Sequence, residues 1–249
     1  VIFESTLPFG APDLMRVSEF RRHAEPDSTA GVPSSLMASL SPSVMQDLLR
    51  FEHQRRPGAG PEVLEVLAAC VRHARSLLIH LQDGTRVIPL TVFPVEHLVH
   101  SPLPMAEFLR CELAELQLLQ VEPALLRPPG DSQRLLVGDA GQHAPLGPLL
   151  WELALRGARE ELLPQIAGQS AYRIAPGVNL RGLALTGSMV QAIRRLKRTT
   201  ANLREIAEWP GFDRARAVRM LNGLYLQAGL MVSRSHPAAT NEGWSNGGQ

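Results

Sequence analysis

Residues 188–234, SMVQAIRRLKRTTANLREIAEWPGFDRARAVRMLNGLYLQAGLMVSR, decide how the C-terminal part of the chain folds. Met189, Ile193 and Leu196 recur at helical spacing and predict a first helix from Ser188 to Arg198, with Arg194, Arg195, Lys197 and Arg198 on its other side. A second helix starts at Asn202, whose side chain caps the N-terminus while Glu205 reaches back to the cap residue's own amide. Leu203, Ile206 and Ala207 point inward, and Trp209-Pro210-Gly211 ends the helix, because proline disfavours helical geometry in the residue before it. Asp213 caps a third helix, in which Ala217, Val218, Leu221, Leu224, Tyr225 and Ala228 form the apolar stripe and Arg216, Arg219 and Asn222 the opposite side. Gly229 ends it, Leu230 to Arg234 suits the first strand of a wing, and Pro237 prevents its simple continuation.

The stretch from Leu203 to Arg234, opening on L-R-E-I-A and passing through a turn and a helix to a Gly-Leu strand start, resembles the winged helix-turn-helix domains of bacterial regulatory and signalling proteins. The resemblance covers about a fifth of the chain and carries fold further than function. It implies one of two tasks. In the first, the third helix enters the major groove of duplex DNA, with Arg214, Arg216, Arg219 and Asn222 at base edges and phosphates, and Arg194, Arg195, Lys197, Arg198 and Arg234 on the backbone. In the second, the domain is a protein-interaction scaffold in a signalling or motility pathway and uses Leu226, expected on the same outward face as Arg219. Charge favours DNA: this segment is about +6 in a chain of net +1, which leaves about −5 for the rest. A large aliphatic on the groove side favours the scaffold. DNA-binding winged helices often work as homodimers, although no coiled-coil seam is present here.

A chain of 249 residues with 45% apolar content can bury one large core or two ordinary ones. No apolar run approaches the length that crosses a bilayer, and VIFESTLPFG is not a signal peptide, so a cytoplasmic location without membrane contact is expected. Arginine outnumbers lysine 24 to one, which points to a GC-rich bacterial coding sequence. The two cysteines, Cys70 and Cys111, read as buried free thiols in apolar helical surroundings.

Residues 1–40 read as an irregular arm or linker with a helix-compatible patch at Leu14 to Arg22. Residues 41–175 read as an α/β module. Ser41-Pro42 starts a helix that reaches Arg56, and after PGAGP a second helix from Pro61 to Arg75 completes a helical hairpin. SLLIHLQ, Asp83-Gly84 and TRVIPLTVF make a β-hairpin with Asp83-Gly84 at its turn, and Pro89 demands an edge or a bulge in the second strand. Further strands are expected at 97–100, 118–121, 135–137 and 172–174, and helices at 105–116, 147–157 and 159–167. The fold class is therefore α+β or mixed α/β, with a helical hairpin and small sheet ahead of a winged-helix domain at 176–240 and a flexible tail at 241–249.

Catalytic chemistry leaves little trace. The sequence lacks a Walker motif, a dinucleotide fingerprint and a Gly-x-Ser-x-Gly turn. His97 and His100 with nearby Cys111 fall short of a zinc ligand set, and Glu112, Glu115, Glu160 and Glu161 read as solvated helix faces. No metal or cofactor is expected. A non-enzymatic regulatory protein is the first reading, and an enzyme with an unrecognised N-terminal site the third. Aromatic content of 5% is low for a binder of single-stranded nucleic acid.

Overall fold

The computed structural model describes residues 13–24, 41–53, 62–132, 137–185 and 187–242. The fold is α+β. Strand β1 (Met15–Arg16) and helix α1 (Val17–Ala24) precede a helical pair, α2 (Pro42–His53) and α3 (Val63–His73). Asp47 of α2, itself buried, accepts hydrogen bonds from Arg72 and His73 of α3, which locks the pair. The rest of the arm and the PGAGP break, residues 54–61, lie outside the described residues.

Strands β2 (Leu77–Asp83), β3 (Arg86–Phe93) and β4 (Leu98–His100), helix α4 (Met105–Phe108) and strands β5 (Gln117–Pro123) and β6 (His143–Pro145) follow. They form an antiparallel sheet in the order β5-β2-β3-β4-β6, with β1 also paired to β3. The hairpin forms, but its turn is shifted by one residue. Asp83 pairs with Arg86, so the loop is Gly84-Thr85, and only Gly84 takes positive φ, +58°. That is the pattern of a turn with glycine first, not of one needing two left-handed residues. Counting outward from this turn, alternation makes His80 and Pro89 a non-hydrogen-bonded pair. The Pro89 nitrogen thus points to the other edge of β3, in the gap between the segments paired with β1 and with β4. The sheet tolerates proline there without a bulge in β3.

Helix α4 stops at Phe108 instead of continuing to residue 116. The carbonyls of Leu109 and Cys111 are taken by the two guanidinium nitrogens of Arg156, at 2.7 and 3.2 Å, and so are lost to helical partners. Of the strand expected at 135–137, residues 135 and 136 lie outside the described residues.

Helix α5 (Leu146–Arg156) leads to strand β7 (Gly168–Ile174). Between them Arg159 draws the chain into a turn instead of a helix, bonding Glu62 and Glu65 as well as the carbonyls of Glu161 and Leu162. Then come α6 (Gly187–Arg198), α7 (Leu203–Ala207), α8 (Arg214–Leu226), β8 (Leu230–Ser233) and β9 (Thr240–Glu242). Asn202 and Asp213 cap α7 and α8 through their side chains. Strands β8 and β9 both pair with β7, and Ala201 adds a bridge to Tyr172. Strand β7 thus precedes residue 176 yet pairs with both strands that follow α8, and β9 ends at residue 242. Residues 243–249 lie outside the described residues.

A single apolar core runs from α2 and α3 across one sheet face to α5 and on into α6, α7 and α8. Burial of that continuous surface, at roughly 25 cal/mol per Å² of apolar area, is what joins the two halves. Among the described residues no helix is long and apolar enough to cross a membrane.

Candidate interaction surface

Helix α8 is the centre of the C-terminal unit, and it is apolar almost all round once past its first turn. Ala217, Val218, Met220, Leu221, Asn222, Gly223, Leu224 and Leu226 are all buried. A helix of that pattern belongs inside. It lies antiparallel along α5 and is tied to both of its ends. Gln227 donates to the carbonyl of Gly147 at 2.8 Å, and Arg219 donates to that of Leu155 at 3.1 Å, where a guanidinium also complements the negative end of α5. Gly223 makes the close approach: a Cβ there would sit 2.7 Å from the Trp151 ring, which is fully buried and donates its indole N–H to Ala184.

Several expected contact residues are consequently occupied. Asn222 is 0% exposed; its amide oxygen accepts from the Leu163 N–H and its amide nitrogen donates to the Glu161 carbonyl. Arg219 is half-buried on Leu155. Neither is placed to read a DNA groove. Leu226 is buried at 4% and offers no partner surface. Arg234 lies at the surface, but its guanidinium donates to the carbonyls of Gln165, Ala167 and Gln169 and to the Ser170 hydroxyl, so it fastens the start of β7 and the chain just before it instead of holding a phosphate. In α8 Arg214 stays exposed, whereas Arg216 is half-buried with its guanidinium 5.3 Å from the Phe212 ring.

The basic residues of α6 are placed differently. Met189, Ala192, Ile193 and Leu196 face the core, and Gln191, Arg194, Arg195, Lys197 and Arg198 are exposed. Arg195 lies 4.6 Å above the Trp209 ring. Among the described residues, Arg194, Lys197 and Arg198 have no side-chain partner. Their concentration near the C-terminus of α6 also favours the helix dipole, so part of this charge serves the helix itself. Beside it runs a groove of about 950 Å³ between α6 and the turn from Trp209 to Phe212, lined by Arg194, Arg195 and Arg198 and by no carboxylate. The sequence marked Trp209-Pro210-Gly211 only as a helix stop. That its rings would floor a groove beside arginines three and four residues apart is a tertiary fact, hinted at only by two aromatics in a short turn.

The N-terminal module shows structural uses for its chemistry-bearing residues. His97 is exposed, while His100 is fully buried and bonded to Gln142 at 2.9 Å. No cluster of three His, Cys, Asp or Glu with metal-holding geometry occurs among the described residues. Cys70 is buried, and burial pushes its thiol up to about 12. Cys111 is only partly buried and sits in the turn after α4; burial, with the Asp83 carboxylate beside it, raises its pKa, the wrong direction for a nucleophile. Glu112, Glu115, Glu160 and Glu161 are exposed. No family model, curated protein or solved structure matches the chain.

Proposed function

We propose that the chain is a non-enzymatic bacterial regulatory protein of the cytoplasm whose C-terminal unit, a winged helix-turn-helix by resemblance, docks a partner protein through α6 and the Trp209 to Phe212 turn. The observation that carries this reading is the capture of α8 by α5 and the turn after it: Arg219 and Gln227 spend their polar groups on the Leu155 and Gly147 carbonyls of α5, and Asn222 on the Glu161 carbonyl beyond it. Past its first turn, a helix so held offers no open face to the major groove. The winged-helix resemblance is supported by three helices, the second and third capped by Asn202 and Asp213, followed by two strands, though both strands pair with β7.

A second reading keeps DNA as the partner, gripped by phosphate contacts alone. The exposed Arg194, Lys197, Arg198 and Arg214 favour it. Titrating a labelled mixed-sequence duplex at physiological salt separates the two. The docking reading expects no duplex binding tighter than about 100 μM. Micromolar binding that weakens roughly a hundredfold between 50 and 200 mM salt, the slope of about four phosphate contacts, overturns it.

A further inference from the structure

We infer that the α6 groove takes an acidic amphipathic helix of a partner protein, about three turns long, whose apolar stripe lies on the Pro210 and Phe212 side and whose carboxylates meet Arg194 and Arg198. The inference rests on the docking reading and specifies its ligand. The lining residues Ser188, Gln191, Arg194, Arg195 and Arg198 recur every three or four positions and so form one continuous stripe of α6, which Thr199 continues just past its end. Twelve residues of helix span about 18 Å, the length of a three-turn helix laid alongside. Two unpartnered arginines border the groove on the α6 side and Pro210 and Phe212 form its other wall, which suits a ligand that is acidic on one side and apolar on the other. Duplex DNA uses this shape poorly, because phosphate contact would engage the arginines and leave the apolar wall of Pro210 and Phe212 without a partner. Base stacking is also disfavoured: the Trp209 ring already carries Arg195.

The test uses the full chain and fluorescence anisotropy with four labelled probes. The first is a helical peptide of Glu and Asp with Leu at every third or fourth position. The second has the same composition scrambled to break the stripe, the third carries Lys in place of the acidic residues, and the fourth is a DNA duplex. The expected result is binding of the first probe, at least about tenfold weaker binding of the second and none of the third. Arg194→Glu combined with Arg198→Glu, both exposed positions, should weaken the first probe by about tenfold or more, and Phe212→Ala should weaken it independently of charge. Unchanged melting curves establish that each variant is folded, and the exposed double variant remains decisive if Phe212→Ala is not. Equal binding of the first two probes, indifference to the double variant, or no binding of the first probe overturns the inference while leaving protein docking elsewhere intact. Tighter binding of the duplex than of any peptide, lost in the double variant, overturns both.

Discussion

Asn222 accepts a hydrogen bond from the Leu163 amide at 2.9 Å, and through this contact the third helix of the C-terminal unit is fastened to the turn that follows α5. The second bond, to the Glu161 carbonyl, satisfies the other side of the same amide. Replacing Asn222 with Ala leaves a buried N–H and a carbonyl without partners. The expected loss is roughly 2–4 kcal/mol in urea unfolding. Asn222→Asp retains the acceptor but presents an oxygen to the Glu161 carbonyl, and should be no better. A loss below about 0.5 kcal/mol, the level of an ordinary surface change, would show that Asn222 is free to face outward.

Gly223 and Trp151 set the spacing of α5 and α8. Alanine ordinarily stabilises a helix interior by about 1 kcal/mol over glycine. At position 223 the sign reverses, because the added Cβ meets a buried ring that has no room to retreat. Gly223→Ala should cost about 1–3 kcal/mol. Combined with Trp151→Phe it should cost less than the sum of the two single changes, a coupling that a double-mutant cycle measures.

His80 lies against Phe20 of α1, with ring centroids 5.0 Å apart, and its Nδ1 is buried without a partner. Burial lowers its pKa to about 4. The folded state therefore prefers neutral His80, and between about pH 6.5 and 4 the unfolded chain binds more protons. Stability contributed by neutral His80 is full above about pH 6.5 and is lost as pH falls toward 4, by about 3 kcal/mol at most. His100, whose pKa burial and the neighbouring His143 also lower, adds loss of the same sign. His80→Gln should flatten, without abolishing, the fall in melting temperature across that window. An unchanged pH profile would place the His80 ring in water.

Arg234 joins the end of β8 to the start of β7 and the chain before it by bonding the Gln169 and Gln165 carbonyls at 3.1 and 3.0 Å. Arg234→Ala should cost about 1–2 kcal/mol. Arg234→Lys should recover little of it, since a single ammonium cannot span carbonyls that a planar fork reaches together. If Arg234 instead gripped an external phosphate, neither change would alter unfolding.

How far the sequence could be read depended on how local the deciding chemistry was. The starts of α7 and α8 were legible because Asn202 and Asp213 cap them with their own side chains. The β2–β3 hairpin was legible from its flanking strands, but the turn moved by one residue because one glycine at the first central position suffices. The end of α4 was not legible: it depends on Arg156, far along the chain, taking two carbonyls. The polar side of α8 was misread for a similar reason. Helical spacing places Arg219 and Asn222 away from the apolar stripe, but it does not distinguish a face turned to solvent from one turned to the carbonyls of a neighbouring helix. Leu226, read as outward-facing, was the sign in the sequence that this side of α8 is covered.

Protein docking through α6 requires α8 to be an internal strut. Native-state hydrogen exchange of its backbone amides, from Ala217 to Leu226, measures this directly. The expected result is exchange only through global unfolding, with the same free energy as urea denaturation of the whole chain. Exchange of these amides through a smaller opening that leaves α5 and the sheet protected would contradict it, and would return α8 to the list of surfaces open to a partner.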